Sequence, residues 1–145
     1  EGPNGFNVPY GNPGNPTIGD KTEILEISHL IRHVTFIHAG FSQSFKNVSE
    51  GDYVYLDPPY APENDKSFVG YTKDGFSLEQ HQELFDLCLN LPPKTKFMMS
   101  NASVPLVTDA FADHDIREVT CRRAINSKKP ESKTQEVIVK NYLNL

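Results

Sequence analysis

The sequence predicts an α/β fold whose sheet is mainly parallel and closes on an antiparallel C-terminal hairpin. Three observations carry this. Apolar runs of strand length alternate with helical patterns through the middle of the chain, two late β-type segments flank a basic stretch, and one apolar run ends directly in Asp57-Pro58-Pro59-Tyr60. With 145 residues, 37% of them hydrophobic, the chain can bury one core.

Residues 1–19 are dense in Gly, Pro and Asn and read as a loop, set apart from residues 20–145. From Asp20 the spacing predicts a helix. Asp20 and Glu23 cap its start, and Ile24, Ile27, Leu30, Ile31 and Val34 recur on one face. Thr35 to Ala39 follows as a short strand. Tyr53-Val54-Tyr55-Leu56 is a second strand, without polar alternation, as expected of a strand buried on both faces. Ser77 and Gln80 form a capping box for a helix with Leu84, Leu87, Cys88 and Leu91 on one face, and Pro92-Pro93 stops it. Lys96 to Ser100 is a third buried strand, and Ser103 caps a short helix through Phe111. The segments from Ile116 to Cys121 and from Glu136 to Tyr142 then pair as the hairpin. In such sheets ligands bind beyond the carboxyl ends of the strands, which is where Asp57 and Asn101 stand.

The formal net charge of −5 argues against nucleic acid only as an average. Between Arg117 and Lys133 there are six basic residues and two acidic ones, a local +4 that leaves −9 for the rest. A solvated face is the plain explanation for such a cluster, and a phosphate-binding surface is the functional one. Cys88 and Cys121 lie far apart, with the spacing of neither a disulfide framework nor a zinc site, and read as reduced thiols. No apolar stretch is long enough for a membrane span and the first residues do not form a signal peptide, so an intracellular, cytoplasmic protein is expected. His29 and His33 have a metal-compatible spacing but no third ligand nearby, and Asp109, Asp113, His114 and Asp115 read as a solvated turn. No metal is expected.

Asp57-Pro58-Pro59-Tyr60 directly follows a strand, where two prolines fix the chain in a rigid extended turn. A carboxylate, a backbone carbonyl kept out of any helix, and an aromatic ring then project together at the sheet's edge. As a bare tetrapeptide this is equally well a strand-terminating turn. As a site it suits methylation of an exocyclic amino group, whose nitrogen lone pair is delocalised into the ring and nucleophilically poor. Hydrogen bonds to Asp57 and to the Pro58 carbonyl draw that nitrogen towards tetrahedral geometry, and Tyr60 stacks on the base. A base inside a duplex is out of reach, so the same reading requires base flipping.

Several further segments, in order, resemble the Dam-type family of adenine-specific DNA methyltransferases. Phe6-Asn7-Val8-Pro9-Tyr10-Gly11 is similar to the family's segment next to its DNA-binding region. Tyr53 to Pro62 resembles its catalytic motif, Phe76 to Gln80 the start of the following helix, Ser100-Asn101 the next strand end, and Arg122-Arg123 with Ile125-Asn126-Ser127 its late basic hairpin. The resemblance implies a partial Rossmann-like fold dependent on S-adenosylmethionine, which methylates the N6 amino group of a flipped adenine in double-stranded DNA. It implies Asp57, Pro58, Pro59 and Tyr60 as the catalytic motif and Phe41, Asp57 and Pro58 as cofactor contacts. Pro9, Asn12, Arg122, Arg123, Asn126, Ser127 and Lys128 become the DNA-contacting candidates, with phosphate the expected partner of the charged ones.

Two departures qualify that resemblance. Where Dam has an arginine after its Pro-Phe-Gly, this chain has Asn12, so the same recognition sequence does not follow. The family's glycine-rich cofactor loop has no equivalent here, since the glycines from Gly2 to Gly14 lack the preceding strand and following helix such a loop needs. The expectation is a C-terminal portion whose cofactor loop comes from an N-terminal segment or a companion chain. Rival readings are an RNA-base or protein-glutamine methyltransferase of the same fold, and an inert DNA-binding fragment.

Overall fold

The computed structural model describes residues 19–62, 75–122 and 133–143, with Arg122 described as backbone only. The chain divides into two compact units, Glu1–Ala39 and Gly40–Leu145.

In the first unit, helix α1 (Lys21–Leu30) starts where the Asp20 carboxylate accepts the Thr22 N–H, and Glu23 adds negative charge to the first turn. The helix stops four residues before Val34, the last member of its expected apolar face. The Val34 N–H closes a turn onto the Ile31 carbonyl at 2.9 Å instead. Thr35 to Ala39, expected as a strand, is irregular and exposed. A strand exists only through its ladder, and no described strand pairs with this segment.

Among the described residues the second unit holds a four-stranded sheet and three helices. In chain order these are α2 (Phe41–Phe45), β1 (Tyr53–Leu56), α3 (Leu78–Leu89), β2 (Lys96–Ala102), α4 (Pro105–Ala110), β3 (Asp115–Arg122) and β4 (Lys133–Lys140). The strands lie in the order β1-β2-β4-β3, with β1 and β2 parallel and the other two pairs antiparallel. The parallel pair requires a crossover, which α3 supplies, and the hairpin accounts for β3 beside β4. The expected hairpin segments sit within β3 and across the end of β4, with Arg122 opposite Lys133.

The capping box forms as expected: Ser77 Oγ accepts the Gln80 N–H at 3.2 Å, and Gln80 Oε1 accepts the Ser77 N–H at 2.9 Å. Leu84, Phe85 and Cys88 of α3 are buried against Phe97 and Met99 of β2, Val107, Phe111, and Val137 and Val139 of β4. Burial pushes the Cys88 thiol up to about 12. Strand β1 departs from the expectation of two buried faces. Val54 and Leu56 pack against the core, whereas Tyr53 and Tyr55 are 53% and 61% exposed. Among the described residues β1 is an edge strand, and tyrosine tolerates a wet face because its hydroxyl bonds outward, here from Tyr53 to Tyr142 at 2.9 Å. Ser103 also departs from its expected role. Helix α4 has Val104 as its N-cap and proline in its first turn, and Ser103 Oγ donates to Glu118 at 3.1 Å.

One buried cation sits at the end of β4. Lys140 is 4% exposed and its Nζ lies 2.9 Å from Asp115 Oδ2. The hydrogen bond from Lys140 holds the Asp115 carboxyl below its ordinary value of 3.8, with burial opposing and the charges of Lys140 and Arg117 assisting. A carboxyl depressed on folding stabilises the native state above its unfolded value, and that contribution fades as pH falls through the folded one. The urea midpoint is therefore expected to decline below pH 3.8 more steeply in the native chain than in Asp115→Asn, measured between about pH 5 and pH 2.

Candidate active site

Strand β1 delivers Leu56 opposite Met99 of β2, so the next residue, Asp57, emerges at the carboxyl end of the parallel pair beside Ser100. Ser100 Oγ donates to Asp57 Oδ1 at 2.9 Å. The carboxylate is solvent-exposed and makes no ion pair among the described residues. Pro58, Pro59 and Tyr60 are half-buried, as a turn laid over the sheet's end must be. Among the described residues no hydrogen bond is made to the Pro58 carbonyl. The Pro59 carbonyl, in contrast, meets His81 Nε2 at 3.1 Å.

Tyr60 packs on the edge of the core and its hydroxyl donates to Glu136 Oε2 of β4 at 3.3 Å. Burial raises its phenol above the ordinary value; a hydrogen bond with Ser100 opposes the shift and the negative charge of Glu136 adds to it. The phenol therefore stays protonated at neutral pH and serves as a donor. The next residue is tied as well, because the Ala61 N–H donates to Asn101 Oδ1 at 2.8 Å.

Phe41, at the start of α2, is half-buried. Its ring lies 5.6 Å from that of Phe76, and Phe76 in turn lies edge-on to His81 at 4.6 Å. A continuous line of rings thus joins the expected cofactor-side residue to the His81 that touches the Pro59 carbonyl. Of the expected DNA contacts, Pro9, Asn12, Arg123, Asn126, Ser127 and Lys128 lie outside the described residues, and Arg122 is placed only as the last residue of β3.

The structure brings together Asp57, Pro58, Pro59 and Tyr60 with Ser100, and adds His81, Asn101 and Glu136. Only Asn101 of that trio had a sequence signal, its place at a strand end. His81 interrupts the apolar face of α3 one turn before Leu84 and Phe85, a position where histidine reads as an ordinary core residue. Glu136 needed the β2–β4 register, which sets it opposite Ala102.

A carboxylate and a neighbouring carbonyl stand at a parallel strand's end with an aromatic ring beside them, an α/β arrangement chemically able to accept both hydrogens of an amino group. Residues 1–125 match the family described as D12 class N6 adenine-specific DNA methyltransferase, and the chain belongs to that family. It is 38% identical over 146 residues to the Type II methyltransferase M1.LlaDCHI of Lactococcus lactis subsp. cremoris, covering 97% of this chain and 51% of that protein. It is 32% identical over 142 residues to the Type II methyltransferase M.MjaIII of Methanocaldococcus jannaschii, covering 94% and 49%. The Retron Ec67 DNA adenine methylase of Escherichia coli is 30% identical over 135 residues, covering 92% and 46%. The chain thus spans about half the length of the curated relatives it matches. No described helix is long and apolar enough to cross a membrane.

Proposed function

We propose that this chain forms part of an enzyme that transfers a methyl group from S-adenosylmethionine to the N6 amino group of an adenine flipped out of duplex DNA. The observation that carries the reading is the exposed Asp57 carboxylate, steadied by Ser100 beside a Pro58 carbonyl that bonds to none of the described residues.

Asp57 and the Pro58 carbonyl accept the two amino hydrogens and return electron density to the nitrogen, an interaction that strengthens as the nitrogen becomes tetrahedral. The proton released on methylation leaves along the bond to Asp57, whose exposure lets water take it. Tyr60, with its hydroxyl held by Glu136, offers its ring to the base and offsets part of the unstacking cost. The donor set fits the cofactor: the Asp57 carboxylate matches its cationic methionine end and the half-buried Phe41 ring suits its adenosine. When bound, S-adenosylmethionine supplies an electrophilic methyl on sulfur. The remaining cofactor contacts come from a glycine-rich loop on an N-terminal segment or companion chain, a reading supported by the half-length match to the relatives. Arg122, Arg123 and Lys128 meet phosphates, and Pro9, Asn12, Asn126 and Ser127 lie against the DNA, at the basic hairpin and the N-terminal segment.

The test is methyl transfer from labelled cofactor to duplex DNA and, in parallel, to ribosomal RNA, using the protein together with the segment that carries the glycine loop. Label on adenine N6 of the duplex is the expected result; label confined to RNA, or none, rejects the reading. Tyr60→Ala is expected to weaken engagement of the flipped base by about 1–3 kcal/mol, roughly fivefold to 150-fold. Fluorescence of 2-aminopurine at the target position checks this.

A further inference from the structure

We propose that His81 and Asn101 are positioning residues that clamp the two peptide groups on either side of Tyr60, so that the ring is aimed before any base arrives. The inference rests on the reading of Tyr60 as the base-facing ring.

The carbonyl of Pro59 belongs to the peptide that precedes the Tyr60 Cα, and the N–H of Ala61 belongs to the peptide that follows it. His81 Nε2 holds the first at 3.1 Å and Asn101 Oδ1 holds the second at 2.8 Å. Fixing both peptide planes fixes the two backbone torsions of Tyr60, and with them the direction of its Cα–Cβ bond. Glu136 then secures the far end of the side chain at 3.3 Å.

Both clamping side chains are fully buried, at 0% exposure, on different elements: His81 on α3 and Asn101 on β2. Both ring nitrogens of His81 face carbonyl oxygens: Nδ1 lies 2.9 Å from that of Ser77 and Nε2 lies 3.1 Å from that of Pro59. A carbonyl only accepts, so the clamp requires a ring hydrogen on Nε2, facing Pro59. Asn101 makes the same point from the other side. Its Oδ1 accepts two N–H groups, from Ala61 and, at 2.9 Å, from Ala102, which fixes the amide's orientation. Its Nδ2 is buried and has no partner among the described residues. A buried donor without a partner is unfavourable, so this side chain is kept for its oxygen. An apolar residue of similar volume would fill the space without that cost and would release Ala61.

The clamp is tested on the chain itself. Long-range 15N–1H spectra are expected to show the His81 hydrogen on Nε2, and a ring protonated on Nδ1 alone overturns the proposal. With 3-fluorotyrosine at the six tyrosines, the Tyr60 resonance, identified by its loss in Tyr60→Phe, is expected to be single and sharp. His81→Phe keeps the ring packing against Phe76 and Phe85, while Asn101→Leu keeps the volume. Each is expected to broaden or split the Tyr60 signal and leave the Tyr53 and Tyr55 signals in place. Asn101→Asp, which keeps an acceptor oxygen, is expected to restore the single line. An unchanged Tyr60 signal in folded His81→Phe and Asn101→Leu overturns the clamp. These spectra contain no nucleic acid, so their failure is distinct from failure of methyl transfer.

Discussion

Asp57→Ala is expected to lower methyl transfer by a factor on the order of a thousand, the loss that follows removal of one preorganised electrostatic partner from a reacting centre. The carboxylate is exposed and its hydrogen bond from Ser100 sits at the rim of the sheet, so the fold has little invested in it. Thermal unfolding is therefore expected to shift by no more than about 0.5 kcal/mol. Asp57→Asn keeps one acceptor oxygen and loses the charge, and its rate should fall between the two. Single-turnover rates on duplex DNA, paired with melting curves on the same samples, make the check. Turnover close to the native rate in folded Asp57→Ala excludes the mechanism given above.

Phe97→Ala is the substitution expected to cost most stability. Phe97 lies on β2, wholly buried, with ring centroids 5.9 Å from Phe111 and 5.7 Å from His114. Its backbone N–H is held by Asn141 Oδ1 at 2.9 Å, and Asn141 Nδ2 donates to the Thr95 carbonyl at 2.9 Å, so the strand cannot slide to fill the void. Truncation of such a ring costs about 3–5 kcal/mol. Against a total of about 5–15 kcal/mol for a typical protein, this is a large share. Urea unfolding followed by circular dichroism is expected to show a much lower midpoint with an unchanged slope. A loss under about 1 kcal/mol would mean that the cavity collapses, against the packing described.

The core of the candidate site was legible in the sequence because it is local. Four consecutive residues after an apolar run carry the carboxylate, the carbonyl and the ring, and the parallel β1–β2 pair places them at a strand end. The capping box was legible for the same reason, since Ser77 and Gln80 lie within one helical turn. What escaped was decided by distant pairing. Ser100 reaches Asp57, Asn101 reaches Ala61 and Glu136 reaches Tyr60 only because β2 runs beside β1 on one side and β4 on the other. The two-faced burial expected of Tyr53 to Leu56 failed because apolar character was read into tyrosines, whose hydroxyls belong at a wet surface. The strand expected from Thr35 to Ala39 has suitable residues but no described neighbour to bond with.

Cys88 gives the fold a built-in timer. With its thiol at about 12 instead of 9.0, the nucleophilic thiolate is scarcer by roughly a thousandfold, and the core walls off reagents besides. An alkylating agent is therefore expected to mark this sulfur chiefly in molecules whose core has opened, so its labelling follows the population of those openings.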